Sequence, residues 1–206
     1  CPKLVFHTMK KNWANDPVLA GGNACGALLR AMDWTLNPLG PPSSWPKELR
    51  TLVSVMLGSS QPILIVWGPE QTTLYNDGYA DMCGQRHPAA LGKPFKDLWY
   101  EIWDAVEPIL SKAYAGIGTQ MDDIQFTMLR NGYPEETHFS FSYTPVRNEA
   151  GVVLGMFCVC AETTRQVLTQ RRADDERQRL QLMFEQAPGA IALLEGPDHV
   201  FAFINR

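Results

Sequence analysis

Cys158 and Cys160 stand two positions apart in a run of strand-forming residues, so their side chains lie side by side on one face. Paired thiolates bind soft metals, which makes this pair the first candidate for chemistry. No further Cys or His lies at ligand spacing, and two small apolar strand residues are the preferred reading. The five cysteines, Cys1, Cys25, Cys83, Cys158 and Cys160, are odd in number, and the chain lacks a small secreted character. No disulfide framework is expected, and a reduced, cytosolic setting is. Two adjacent acidic pairs, Asp122-Asp123 and Glu135-Glu136, invite an acid–base reading. Neighbours on a strand point to opposite faces, so each pair reads as turn or edge charge instead. The chain lacks the G-x-S-x-G, Walker, H-E-x-x-H and kinase nucleotide motifs. No catalytic residue and no metal ligand set is expected, and the chain itself is read as non-catalytic.

The elements that carry these residues follow from pattern. Residues 1–25 show no periodicity and read as an arm or lead-in. A short helical pattern covers Gly26–Asp33, and the proline-rich Asn37–Pro46 cannot enter a helix or sheet interior. Ser44 is placed to cap a helix running to Leu57, with Leu49, Leu52, Val53 and Met56 on one face and Gly58 as its stop. A β-hairpin spans residues 62–76, because two β-rich runs flank Gly68-Pro69-Glu70. Asn76 or Asp77 then caps a helix Gly78–Cys83, and His87–Gly92 reads as one more helical turn. Leu98–Ala115 is the longest helical stretch before the connector, with a break expected near Val106–Glu107 because Pro108 lies inside it.

Three strands follow. Ile124, Phe126 and Met128 share a face of the first; Phe139, Phe141 and Tyr143 share a face of the second, opposite His138, Ser140 and Ser142. Asn131-Gly132 and residues 147–151 mark the turns, and Val152–Cys160 is apolar on both faces, as a central strand requires. The order β-β-α-α-α-β-β-β predicts an α+β fold, a five-stranded antiparallel sheet with short helices on one face. From Thr163 a charged helix begins, with Arg171–Asp175 and Arg172–Glu176 at ion-pair spacing. Its stripe of Leu180, Met183, Phe184 and Ala187 is too thin for a core helix, so it reads as a connector whose stripe a second copy would bury as a coiled coil.

The hairpin recurs. PILIVWGPEQTTLYN at 62–76 is echoed by PGAIALLEGPDHVFAFIN at 188–205, each with a proline, two apolar runs around Gly-Pro-acidic, and a terminal Asn. A lone hairpin is not an independently stable unit, so the chain reads as one complete domain, a connector and the start of another. With 45% hydrophobic and 19% charged residues the composition is that of a globular protein. A net charge of −4 offers no electrostatic reason for a nucleic-acid or acidic-membrane partner. No apolar run reaches membrane-span length, and the N-terminus lacks a signal-peptide core, so a cytoplasmic location is expected.

These residues together resemble a PAS domain. The strand order matches, as do Asn76-Asp77-Gly78-Tyr79 before the first helix, Leu91-Gly92-Lys93-Pro94-Phe95, and the long hairpin through Pro134–Pro145. The last strand ends in Glu162-Thr163-Thr164, a variant of the usual Asp-Ile-Thr. The stretch from Met32 to Arg50 resembles the lead-in to the first PAS domain of many bacterial sensor histidine kinases. Resemblance covers residues 26–164, and again 184–206. It implies an arm and helical lead-in at 1–58, a PAS domain at 59–164, a connector helix at 165–186, and a truncated second PAS domain at 187–206. It also implies a sensor: a small pocket between sheet and helices takes a small molecule or partner. The change then passes through Glu162, Thr163 and Thr164 into the helix bearing Leu180, Met183 and Phe184. The parent is read as a homodimeric histidine kinase with kinase domains downstream in the same chain, although PAS modules also precede cyclases and phosphatases.

The resemblance names no ligand, and each candidate chemistry makes its own demand on the residues. Phe95 stands where a photoactive flavin domain of the LOV type carries its reactive cysteine, and Cys83 lies in an earlier helix. Covalent flavin photochemistry is not expected; non-covalent flavin binding stays open. Haem needs an axial ligand, commonly His, and Leu98–Ala115 contains none. His87 precedes Pro88 and His138 lies on the more polar strand face, where a solvated or hydrogen-bonded histidine is preferred over a ligand; His7 and His199 have no supporting pattern. The pocket candidates are Trp67, Tyr75, Trp99, Trp103, Phe126, Phe139, Phe141 and Tyr143, for each of which singly the hydrophobic core is the preferred reading. Trp99 and Trp103, one helical turn apart with indole donors to satisfy, head that group, and Tyr143 offers a hydroxyl. The alternatives to a small-molecule sensor are a ligand-free dimerisation module and a haem- or flavin-bearing redox or light sensor.

Overall fold

The β-rich run Ile63–Trp67 (β1) turns at Gly68 into Thr72–Tyr75 (β2), and every residue of both strands is buried. Burial on both faces needs cover on both faces, and the rest of the domain supplies it. The computed structural model describes Trp13 and residues 16–186, 188–189, 192–195, 197 and 200–204. Contacts divide the chain into two units, one ending at Thr163 and one beginning at Thr164.

In the first unit, Thr119–Met128 (β3), Glu135–Arg147 (β4) and Val153–Glu162 (β5) join the hairpin in an antiparallel sheet of order β2-β1-β5-β4-β3. The last strand in sequence is thus the central one in space. Its register places Leu64, Cys158 and Tyr143 in one row across three strands. Short helices Asp77–Cys83 (α3) and Phe95–Leu98 (α4) and the longer Trp103–Tyr114 (α5) cover this inner face, α5 packing on β4 and β5. The opposite face of the hairpin, with fully buried Ile65 and Leu74, is covered by Lys47–Gly58 (α2). Leu49, Val53 and Met56 form the buried stripe of α2, with Leu52 partly buried, as its periodicity requires.

The N-terminal segment departs from the expected arm. Residues 17–19 form a 3-10 turn and Ala24–Ala31 a helix (α1), and Val18, Leu19 and Cys25 are in the core. The helix expected over Gly26–Asp33 is present two residues earlier, while the three-residue turn is too short for periodicity to reveal. Asp16 caps the turn locally, accepting from Val18 N (2.9 Å), whereas Asp77 caps α1 from another helix, accepting from the amides of Asn23 (3.1 Å) and Cys25 (2.8 Å). Residues 1–12, 14 and 15 lie outside the described residues.

Three other local expectations change. Ser44 does not cap α2; it closes a 3-10 turn, its hydroxyl donating to Pro41 O (2.7 Å), and α2 starts after Pro46 without a side-chain cap. His87–Gly92 is a run of turns, because Gly92 N bonds to Thr73 O (2.8 Å) and Thr73 N to Lys93 O (2.8 Å), drawing the segment along the edge of β2. The helix expected over 98–115 breaks at Trp99 (φ −121°, ψ 43°), not near Pro108. Arg86 Nη1 donates to the Leu98 carbonyl that a continuous helix would offer to Ile102 N, and Ile102 N bonds to Trp99 O instead. Pro108 is tolerated inside α5 because it lies on the exposed side.

The second unit begins with Thr164–Glu185 (α6), a helix without a buried residue. Ala192–Glu195 (β6) and Val200–Ile204 (β7) pair antiparallel, a hairpin where the repeated motif was expected.

One side chain joins three elements of the first unit. Asn76 Oδ1 accepts from Ile63 N (3.0 Å) and Tyr79 N (3.2 Å), and Nδ2 donates to the carbonyls of Met56 (3.2 Å), Ser59 (3.1 Å) and Gln61 (2.7 Å). Replacing it with Ala strands buried polar groups at the end of α2 and the start of β1 and α3. Asn76→Ala is expected to lower unfolding stability by about 3 kcal/mol, read as a lower urea midpoint at unchanged m-value.

Candidate functional site

Between the inner sheet face and the helices lies a cavity of about 30 Å³. Tyr79 and Met82 of α3 form one wall, Trp99, Ile102 and Val106 another, and the sheet supplies Phe126, Met128, Phe139, Phe141, Tyr143, Cys158 and Cys160. Strand alternation explains the sheet's share: Phe139, Phe141 and Tyr143 leave β4 on one side, and Cys158 and Cys160 do the same from β5. Trp99 reaches the cavity because the helix breaks there. Its indole N–H donates to the Tyr79 hydroxyl (2.9 Å), and Arg86 stacks against it at 5.2 Å from the ring centre while pairing with Glu101. Burial works against the Glu101 carboxylate, yet hydrogen bonds from Arg86 and Leu129 N hold it below its usual value.

The sequence candidates therefore separate. Trp99, Phe126, Phe139, Phe141 and Tyr143 line the cavity together. Tyr75 is fully buried elsewhere, its hydroxyl 3.2 Å from His87 Nδ1; Trp103 packs edge-on against Phe95; Trp67 lies over Gly155. The lining residues passed over in sequence are led by Tyr79 and Met82, whose helix is too short to display a face.

The cavity is electrically neutral. Burial pushes the Tyr79 and Tyr143 hydroxyls and the Cys158 thiol well above their ordinary values, with the neighbouring sulfurs adding to it. Tyr143, one of the lining residues, carries a hydroxyl that can both donate and accept. A volume of 30 Å³ holds a water or two. Neither haem nor an isoalloxazine ring fits this volume, and among the described residues no histidine lines the cavity. No cluster of three His, Cys, Asp or Glu suited to a metal occurs among the described residues.

A second locus lies where β5 ends. Arg130, buried in the β3–β4 connection, forms a two-pronged pair with Glu162 (Nη1–Oε2 2.7 Å, Nη2–Oε1 2.8 Å). The same guanidinium donates to Met82 O (3.1 Å), the carbonyl of a cavity-wall residue. The hydrogen bonds to Glu162 raise the already high pKa of Arg130, so the cation is permanent. Thr163 follows, its amide on His138 O (2.8 Å) and its hydroxyl on Asp123 Oδ1 (3.1 Å). Thr164 opens α6, on which Leu180, Met183 and Phe184 are exposed. Arg130 carries no sequence signal: a basic residue before Asn-Gly looks solvated, and its partner lies 32 residues away.

A family profile described as the PAS fold matches residues 57–168, and the chain belongs to that family, whose fold is a sensory, non-catalytic one. No curated protein matches the chain. Similar solved structures include the PAS domain of BvgS from Bordetella pertussis, at 19% identity over 65% of this chain and 99% of that one (TM-score 0.49). An RNA-binding light-oxygen-voltage receptor matches at 22% identity over 68% of this chain and 42% of that one (TM-score 0.45). A PAS domain from Colwellia psychrerythraea matches at 12% identity over 57% of this chain and 98% of that one (TM-score 0.43). This chain therefore spans less than half of the RNA-binding receptor. Among the described residues no helix is long and apolar enough to cross a membrane.

The thiolate, not the thiol, is alkylated. Burial pushes the Cys25 and Cys83 thiols up to about 12, and Cys158 is raised as well. Iodoacetamide at pH 7.5 is expected to leave all three unmodified in the native chain and to label them fully in urea, read by peptide mass spectrometry.

Proposed function

We propose that the chain is the cytoplasmic sensory region of a bacterial histidine kinase, with residues 59–164 as its PAS domain. Residues 165–186 are its connector, and 187–206 begin a second PAS domain. The observation that carries the reading is the position of Arg130, which holds Met82 of the cavity wall and Glu162 of the strand end in one guanidinium. A small neutral molecule that prefers one packing of α3 and α5 against the sheet shifts that packing. It does so only by its difference in affinity for the two arrangements. Through Arg130 the shift reaches Glu162, Thr163 and, along the chain, Thr164 and α6. Leu180, Met183 and Phe184 suit pairing with α6 of a second copy, which makes the signalling form a homodimer and passes the change to kinase domains downstream.

A second reading draws on the cavity's small size: a ligand-free PAS domain that acts by dimerisation. An absorption spectrum with mass spectrometry of denatured protein separates the two. A colourless small molecule released on denaturation is the expected result; a chain that releases nothing supports the dimerisation module, and a visible band would make it a chromophore receptor.

The transmission step has its own test in the parent kinase. Arg130→Ala and Ala173→Pro are each expected to change autophosphorylation at least about tenfold, since each removes one or more stabilising interactions of roughly 1.4 kcal/mol or more. Kinase output unaltered by both substitutions would refute transmission through β5 and α6.

A further inference from the structure

We propose that His138 is a proton-binding site that controls how the last residue of the sensory unit is held. It would be a second input beside the cavity. The proposal rests on the reading that the end of β5 transmits the signal, and it names a regulator of that end.

His138 lies on β4 with 2% of its surface exposed, and each ring nitrogen faces a carboxylate: Nδ1 is 3.1 Å from Asp123 Oδ1 and Nε2 is 2.9 Å from Glu136 Oε1. Glu136 is two residues earlier on the same strand, hence on the same face. Asp123 comes from β3, where the register shifts between Met121 and Ile124 and Asp123 adopts a left-handed φ of 51°. That bulge turns Asp123 toward the ring, and Ser140 Oγ accepts its amide hydrogen (3.0 Å). On β5, the neighbouring carboxylate of Glu162 is engaged by Arg130.

An imidazolium has two N–H donors and satisfies both carboxylates. A neutral imidazole has one, so its other nitrogen presents a lone pair to a carboxylate oxygen. The geometry therefore suits the protonated ring. It also ties that proton to the chain's exit from the sheet: Asp123 Oδ1, which takes the ring's Nδ1–H, also takes the Thr163 hydroxyl (3.1 Å), and Thr163 N donates to the backbone carbonyl of His138 itself (2.8 Å). The contact to Glu136 is the shorter, and Asp123 sits in a strained backbone conformation. On loss of the proton the ring keeps Glu136 and releases Asp123, and Thr163 loses the acceptor that fixes its side chain. Low pH fastens Thr163; high pH loosens it.

The test follows two signals in the full chain by NMR between pH 5.5 and 8.5: the His138 ring carbon and hydrogen at Cε1, and hydrogen exchange of the Thr163 amide corrected for its intrinsic pH dependence. Thr163 protection is expected to fall at least about tenfold with the midpoint of the ring titration, the loss of a charge-assisted hydrogen bond. His138→Gln should abolish the dependence. Asp123→Asn, at a half-exposed position, should do the same and keeps the test open should the buried substitution fail to fold. A ring that does not titrate in this range, flat Thr163 protection across its titration, or a dependence that survives in both variants overturns the proposal. None of these readouts depends on kinase output, so a failure of transmission in the parent and a failure of the proton site are separately visible.

Discussion

The first unit depends on a buried carboxamide more than on any apolar contact. Asn76 both accepts and donates at one point where α2 ends, β1 begins and α3 starts, and a carboxamide brings two donors and a two-lone-pair acceptor to that point without a charge. The residue beside it, Asp77, reaches in the other direction and caps α1. Two consecutive side chains thereby bind the N-terminal helices to the sheet and set the first helix of the inner layer. A hydrophobic contact could supply comparable energy but not this geometry, because dispersion has no preferred direction.

With that corner set, the strand order does the rest. Placing the last strand in the middle of the sheet makes β5 hydrogen-bond to β1 on one side and β4 on the other. Any displacement of its neighbours bears on it, and its inward residues Met156, Cys158 and Cys160 are buried. The outer strands are protected differently. The edge of β2 is occupied by the segment after α3, through Thr73 and residues 92–93, while β3 carries a bulge and alternating polar residues that discourage pairing with another chain.

Few polar or charged side chains are buried among the described residues. Arg130 is one of six buried polar or charged residues among the described residues, and its pairing with Glu162 satisfies the carboxylate geometry on two prongs. A partly buried ion pair is a weak source of stability, since desolvation and solvent screening offset most of the attraction, but it holds its partners in one arrangement. That is what the junction between a cavity wall and the end of a central strand requires. Arg86 plays a similar part on the other wall, fixing Trp99 by stacking and ending α4 by taking its last carbonyl.

Residue pattern by itself determined the strands, the longer helices and the sheet class, because those depend on periodicities of two and 3.6 that are written in consecutive residues. The alternation of Phe139, Phe141 and Tyr143, the stripe of α2, the repeated hairpin and the cap at Asn76 were all legible for that reason. Short elements were less so: the start of α1 and the helix break at Trp99 are fixed by Asp77 and Arg86, from other parts of the chain. The cavity was half legible. Strand alternation pointed to its floor, but Trp67, Tyr75 and Trp103 are aromatic residues of the same composition that the fold places elsewhere. Arg130 with Glu162, and His138 between Asp123 and Glu136, were decided by tertiary structure alone. Their partners meet through strand pairing and a bulge, and a pairing register is a property of two segments together that neither segment encodes in its own periodicity.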